Sequence, residues 1–205
     1  MNYKQVLTIC TFFFGCSLMG QQFNGGLFAG MSSSQIHGDR LSGFDLPGFQ
    51  GGFFTSINLS ESGSLQFEIY FVQKGSRESL SDSSIFYRAR LNYIALPLVY
   101  RYRYGKLGFE IGPALDVLVS SEESDQSGVF ESTPPFATYN LSGIVGVNYH
   151  FNANWWVSFR TVNSITPIRT PAVDRPDASR YLEFGQRNIV LTFGVYYSFF
   201  GPSSS

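Results

Sequence analysis

The sequence predicts an all-β protein, folded as a single eight-stranded antiparallel up-and-down transmembrane β-barrel. Three observations lead to this fold class: a composition rich in aromatic residues and poor in charge, runs in which apolar and polar residues alternate, and connections that are alternately long and short. Together they indicate strands that have two unlike faces and follow one another around a sheet.

The composition suits β-structure and argues against several other classes of protein. Aromatic residues make up 17% of the 205 residues and charged residues only 14%, against about a quarter in a typical soluble domain. A disordered chain is poor in aromatic residues, and a coiled coil needs many Ala, Glu, Lys and Leu residues. The 14 basic and 15 acidic residues nearly cancel, so we expect no nucleic-acid partner.

Alternation with a period of two residues marks strands that have one apolar and one polar face. It is clearest in the last run, where one face carries Ile189, Leu191, Phe193, Val195, Tyr197 and Phe199. Eight strands are predicted, at 23–33, 48–59, 64–74, 87–103, 107–119, 139–151, 155–165 and 187–200.

The connections between these strands alternate in length without exception. Residues 34–47, 75–86, 120–138 and 166–186 form long connections, and residues 60–63, 104–106 and 152–154 form short ones. An eight-stranded meander therefore places all long loops at one end, and the short turns and both termini at the other. Outer-membrane barrels have this asymmetry, with short periplasmic turns and long extracellular loops.

The distribution of charge decides which face meets lipid. The apolar faces are nearly free of charge, whereas the polar faces carry six charged candidates for the interior: Glu68, Arg101, Arg103, Glu110, Asp116 and Arg160. A soluble barrel would bury these groups in its core at high cost, whereas a membrane barrel turns its apolar face outward and fills its interior with polar groups.

Aromatic residues cluster beside the short turns, at the level where membrane barrels carry an interfacial girdle. The cluster comprises Tyr102, Tyr104, Phe109, Tyr149, Phe151, Trp155, Trp156, Phe199 and Phe200. Ordinary packing in a β-domain is the alternative interpretation.

The N-terminus is predicted to be a signal peptide at residues 1–20, which leaves a barrel domain at residues 21–205. Lys4 precedes a mostly apolar run from Val6 to Phe14, too short to span a bilayer. Cleavage after Gly20 is preferred, and cleavage after Ser17 is the alternative. Both cysteines lie in this segment, so the mature chain has no disulfide, thiolate metal site or cysteine nucleophile.

Several segments resemble the PorT-type outer-membrane β-barrel family. They are residues 23–31, 34–39, 48–52, 64–77, 91–98 and 109–113, of which Gln73–Ser76 and Tyr93–Leu98 are the most specific. The resemblance implies an eight-stranded barrel located in the cell outer membrane. That location implies outer-membrane lipid as a partner. One branch of the family is associated with a protein secretion system, but most members have no assigned activity, so that role does not carry over; an envelope or secretion-system protein is the protein partner to consider. Ala95 departs from the family pattern, in which an acidic residue is usual.

The width of an eight-stranded barrel indicates whether its interior is filled by side chains or open to solutes. Eight strands enclose a space that side chains just fill, so we expect the acidic residues and arginines to form a salt-bridged plug. The protein would then be a non-enzymatic barrel with a structural or interaction role in the envelope. A narrow conduit for ions or small solutes is the alternative.

The sequence contains no motif for catalysis or for a small-molecule substrate, and we expect neither a cofactor nor a metal ion. Lipid-modifying barrels use His with Ser or a carboxylate, which makes that class a distant alternative. His37 lies near Asp39 and His150 near Asn148, but spacing cannot supply the hydrogen-bond geometry. The long loops, including the acidic stretch with Glu122 and Glu123, are expected to be solvated or to form a binding surface.

Overall fold

Strands make up most of the chain in the computed structural model, which describes residues 23–37, 46–77, 87–130, 134–169 and 185–199. The strands are β1 (Phe23–His37), β2 (Leu46–Asn58), β3 (Gly63–Arg77), β4 (Tyr87–Tyr104), β5 (Leu107–Asp125), β6 (Gly128–Phe130), β7 (Tyr139–His150), β8 (Trp155–Ser164) and β9 (Arg187–Ser198). The predicted signal peptide lies outside the described residues. Within them, no helix is both long and apolar enough to cross a membrane.

Eight of these strands close into a ring. Consecutive strands pair antiparallel, β4 pairs with β5, β5 pairs with β7, and β1 pairs with β9 from Gly26–Ser198 to His37–Arg187. Closure satisfies the backbone hydrogen bonds of every strand, which a lipid environment requires. The predicted fold class, an eight-stranded antiparallel barrel, is confirmed.

The strands extend further toward the long connections than the alternation predicted. β3 ends at Arg77 rather than at residue 74, and β5 ends at Asp125 rather than at residue 119. Beyond the apolar band the outward residues become polar, as at Arg90 and its cross-strand partner Glu122, so the alternation disappears while the ladder continues. The short strand β6, which the sequence did not predict, pairs with this extension of β5.

The outward face is a continuous apolar belt. It includes Leu27, Met31, Phe53, Phe67, Ile69, Leu98, Phe109, Ile111, Leu115, Val145, Val147, Phe159, Phe193 and Val195, all of them exposed. A belt of this extent would be an aggregation-prone patch on a soluble monomer, and it matches the lipid-facing band of a membrane barrel.

The inward face combines charged groups with aromatic rings. Seven charged side chains on the described strands are almost fully buried: Glu68, Lys74, Arg101, Glu110, Asp116, Glu123 and Arg160. Trp156 is also buried, so it does not belong to the predicted interfacial girdle. Successive residues of a strand point to opposite faces, and therefore only Trp155 of this pair can meet lipid.

Candidate functional site in the barrel interior

Arg160 on β8 forms an ion pair that crosses the whole lumen. Its Nη1 and Nη2 atoms donate to Glu68 Oε2 and Oε1 at 2.8 and 2.7 Å. Glu68 lies on β3, and three strands separate β3 from β8 in either direction around the ring. This bidentate pair therefore joins opposite walls of the barrel, in the geometry that makes arginine–carboxylate contacts strong.

Glu110 on β5 extends this ion pair into a network. Arg160 Nε donates to Glu110 Oε1 at 2.6 Å, and Arg101 Nε lies 3.3 Å from Glu110 Oε2. Arg101 also donates through Nη1 to Gln66 Oε1 at 2.6 Å, and Gln66 Nε2 donates to Glu68 Oε1 at 2.6 Å. The two carboxylates and two guanidinium groups balance in charge, which buried ions require.

A glycine makes room for this network. Gly146 on β7 is the cross-strand partner of both Glu110 and Arg160, and their ion pair passes over it. A Cβ atom at Gly146 would lie 2.8 Å from both Arg160 Cγ and Glu110 Oε1. The missing side chain is therefore what allows the two groups to meet.

A second buried cluster lies nearer the long connections. Lys74 Nζ is 2.7 Å from Asp116 Oδ2, and the hydroxyl of Ser142 donates to the same oxygen at 2.6 Å. Asp116 is the cross-strand partner of Ala95, the position where the PorT-type pattern carries an acidic residue. The carboxylate that binds Lys74 is therefore carried by β5, the strand next to the one that carries Ala95.

Aromatic rings pack between the ionic groups and the short-turn end. Tyr196 stacks on Phe28 with ring centroids 4.4 Å apart and on Trp156 at 5.2 Å. The guanidinium carbon of Arg101 lies 4.7 Å from the Trp156 ring and that of Arg160 lies 5.3 Å from the Tyr196 ring. These cation–π contacts add to the ion pairs in holding both arginines.

The end that carries the long connections has an ionic contact of its own. Arg169 Nη2 lies 2.6 Å from Glu123 Oε2, and the Tyr87 hydroxyl donates to the same carboxylate. The ring of Phe136 is 3.8 Å from the Arg169 guanidinium carbon, and Ile168 is fully buried beside it. Glu123, expected in a loop that is solvated or forms a binding surface, is thus a buried member of β5.

The structure brings four of the six predicted interior residues into the central network and places Asp116 in the second cluster. Arg103 does not join them: it is exposed, because β4 carries it past the network to the short-turn end. Asp116 binds Lys74 rather than an arginine. Lys74 and Gln66 are interior residues that were not predicted, although both share the even-numbered face of β3 with Glu68. That period-two pattern was the available signal.

The two histidines weighed for the distant catalytic alternative lie at opposite ends of the barrel. His150 Nε2 lies 3.1 Å from the amide oxygen of Asn148, and its ring stacks on Trp156. His37 lies at the opposite end of the barrel, at the end of β1, and Asp39 falls outside the described residues. Within the described ranges, no group of three or more His, Cys, Asp or Glu side chains is arranged to hold a metal ion.

A closed ring of eight strands with an apolar exterior and an ion-paired interior defines a transmembrane β-barrel protein. Residues 19–169 match the family model described as outer membrane protein beta-barrel domain. The chain belongs to this family and is a protein of the outer membrane.

Two crystal structures of other barrels are similar to the fold. Ail, the attachment invasion locus protein of Yersinia pestis, aligns with a TM-score of 0.51 at 11% identity, covering 87% of this chain and 99% of that one. Neisserial surface protein A aligns with a TM-score of 0.50 at 14% identity, covering 88% and 99%. At these identities the likeness shows a shared fold alone. No curated protein matches the sequence.

Proposed function

We propose that the protein is a non-enzymatic outer-membrane barrel with a structural or interaction role in the envelope, its lumen plugged by side chains and its long loops extracellular. The observation that carries this proposal is the Glu68–Arg160 ion pair, which spans the lumen from wall to wall. An eight-stranded barrel is already narrow, and a buried bidentate pair across it leaves little space for a solute.

The interaction role belongs to the end that carries the long connections. Loops on a rigid barrel are where binding residues concentrate, and the Arg169–Glu123 contact anchors one loop to the extended β5. The proposed partner is another protein of the envelope. A place in the PorT-type branch is part of the proposal and rests on the Gln73–Ser76 and Tyr93–Leu98 segments, whose strands are direct neighbours.

A narrow conduit for ions or small solutes is the second candidate. It is favoured by a polar cavity at the short-turn end, which extends inward as far as Arg101. A conduit would require a path past the Glu68–Arg160 pair and the stacked rings of Phe28 and Tyr196.

Conductance across a planar bilayer separates the two candidates. We expect wild-type protein to show no sustained openings, whereas Tyr196→Ala removes a ring from the lumen and raises the conductance. Tyr197→Ala is the matched control, since Tyr197 is the next residue on β9 and packs outside against Trp155. Steady wild-type conductance would contradict the plug and support the conduit.

A further inference from the structure

A polar cavity of about 430 Å³ opens into the barrel at the short-turn end. Its inner wall is formed by Arg101, Trp156, Asn148 and His150, and its rim includes Arg103 and Glu61. The volume lies within the range of small-molecule sites, roughly 300–1,000 Å³. The plug and the long-loop end do not depend on this cavity.

Three hydrogen-bond donors of side chains that line the cavity have no partner within the described part of the chain. They are Arg101 Nη2, Asn148 Nδ2 and Trp156 Nε1. All three residues are more than nine-tenths buried, at 8%, 3% and 4% exposure. A buried donor without a partner is costly, so three that line one cavity indicate a ligand rich in acceptor oxygens.

The surrounding contacts hold these donors in place. The Trp156 ring stacks on the rings of both His150 and Tyr196, with centroid distances of 5.3 and 5.2 Å. Arg101 is fixed by Gln66 and Glu110, which use Nη1 and Nε and leave Nη2 unused. The amide oxygen of Asn148 is engaged by His150, which leaves its NH₂ group as the available donor.

The charge of the wall favours a ligand with one negative charge. Arg101 is already balanced by Glu110 inside the network, so Arg103 is the cation that remains at the rim. Glu61, the acidic residue of the lining, is exposed on the turn that follows β2; Arg103 is exposed as well, so solvent screens both charges and the lining is close to neutral overall. A carboxylate, with one negative charge, therefore brings less uncompensated charge into this lining than a phosphate dianion would.

We propose that this cavity binds the carboxylate group of a small molecule that enters from the short-turn side. Its carboxylate oxygens accept from Arg101 Nη2, Asn148 Nδ2 and Trp156 Nε1, and Arg103 supplies the long-range attraction. The proposed orientation of the barrel places this opening in the periplasm; the binding itself does not depend on that orientation.

The two tryptophans make the site measurable in the folded, detergent-solubilised protein. In a Trp155→Phe background, Trp156 is the remaining tryptophan, so its fluorescence reports on the cavity wall. The probes are N-acetylglycine, its neutral amide N-acetylglycinamide, and inorganic phosphate. We expect N-acetylglycine to give a saturable change at millimolar concentration and to bind about tenfold more tightly than either other probe.

Two substitutions test the assigned donors. Asn148→Asp keeps the shape but replaces the donor with a carboxylate, and should weaken N-acetylglycine binding by more than about tenfold. Arg103→Gln should weaken it by roughly three- to tenfold, more at low salt than at high salt. Arg90→Gln, at the opposite end of β4, is the control and should bind as the parent does.

Several results would overturn the proposal. They are an absence of saturable change up to about 50 mM N-acetylglycine, equal binding of the amide, tighter binding of phosphate, or unchanged binding in both variants. A heat-dependent shift in gel mobility verifies that each variant is folded. Conductance tests the plug separately, so a failure of one proposal is distinguishable from a failure of the other.

Discussion

At the scale of single residues, each charge of the two clusters in the lumen is paired with a residue on another strand. Arg160 binds Glu68 across the barrel, and Lys74 binds Asp116 from two strands away. Two desolvated charges gain little over an apolar pair, but removing one partner leaves an uncompensated ion. The position of each carboxylate is therefore determined by its partner across the lumen rather than by the strand that carries it.

We expect that the carboxylate that pairs with Lys74 can be supplied from β4 instead of from β5. Asp116→Ala leaves the ammonium group unpaired and should lower the free energy of unfolding by about 3–5 kcal/mol. Adding Ala95→Asp returns a carboxylate to the cross-strand position and should recover part of that loss. Urea unfolding in detergent gives both values, and a double variant no more stable than Asp116→Ala would show that position 95 cannot serve Lys74.

The glycine beneath the ion pair should resist substitution. Gly146→Ala forces the Arg160 and Glu110 side chains apart and should cost about 1–3 kcal/mol of unfolding free energy. Gly143→Ala lies on the outward side of the same strand, where the new Cβ atom would meet Ile165 at an ordinary 3.7 Å. The same urea titration compares the two, and equal stabilities would contradict the crowding at Gly146.

At the scale of secondary-structure elements, the two faces of a single strand meet different surroundings, the packed lumen on one side and the apolar exterior on the other. β9 buries Asn188, Val190, Thr192 and Tyr196 while Phe193 and Val195 face outward. The period of two residues is what makes this possible, since a shift of one residue would exchange the faces. The register with β1, which closes the ring, is therefore also what assigns each face.

The outward face of β9 should show the depth dependence of a lipid contact. Phe193→Arg lies midway along the strand and should cost about 2–4 kcal/mol, whereas Phe199→Arg lies past its end and should cost about 0–1 kcal/mol. The measurement is reversible unfolding in lipid vesicles. Equal penalties at the two positions would argue against a membrane gradient along this strand.

At the scale of the whole molecule, the closed ring and the ionic network reinforce each other. Arg160, Glu110, Arg101 and Glu68 tie together strands β8, β5, β4 and β3 in addition to their backbone ladders. Opening the ring would expose strand edges and four buried charges at the same time, both of which are costly in lipid.

A barrel of this kind should remain folded in sodium dodecyl sulfate until it is heated. We expect the protein in the outer-membrane fraction to migrate differently before and after boiling, because the closed ring is more compact than the unfolded chain. The mobility of each unheated sample is compared with that of the same sample after boiling. A single mobility at all temperatures would indicate that the fraction does not contain the closed barrel.

Much of the fold follows from local pattern. Eight strands, the lipid-facing side of each and the end that carries the long connections can be derived from alternation and loop length, because lipid on one side and side chains on the other impose a strict period of two. The same pattern placed Glu68, Glu110, Asp116 and Arg160 inside, as the structure does.

What the sequence by itself determined is thus which residues turn inward; what only the tertiary structure decided is which of them meet. Ring closure brings Glu68 opposite Arg160, gives Asp116 to Lys74 instead of to an arginine, and leaves Arg103 at the rim. It also brings Trp156, which the alternation along β8 already turns inward, beside the other donors of the proposed carboxylate site. Partners across a lumen depend on the height and stagger of strands distant in sequence, which no local pattern encodes.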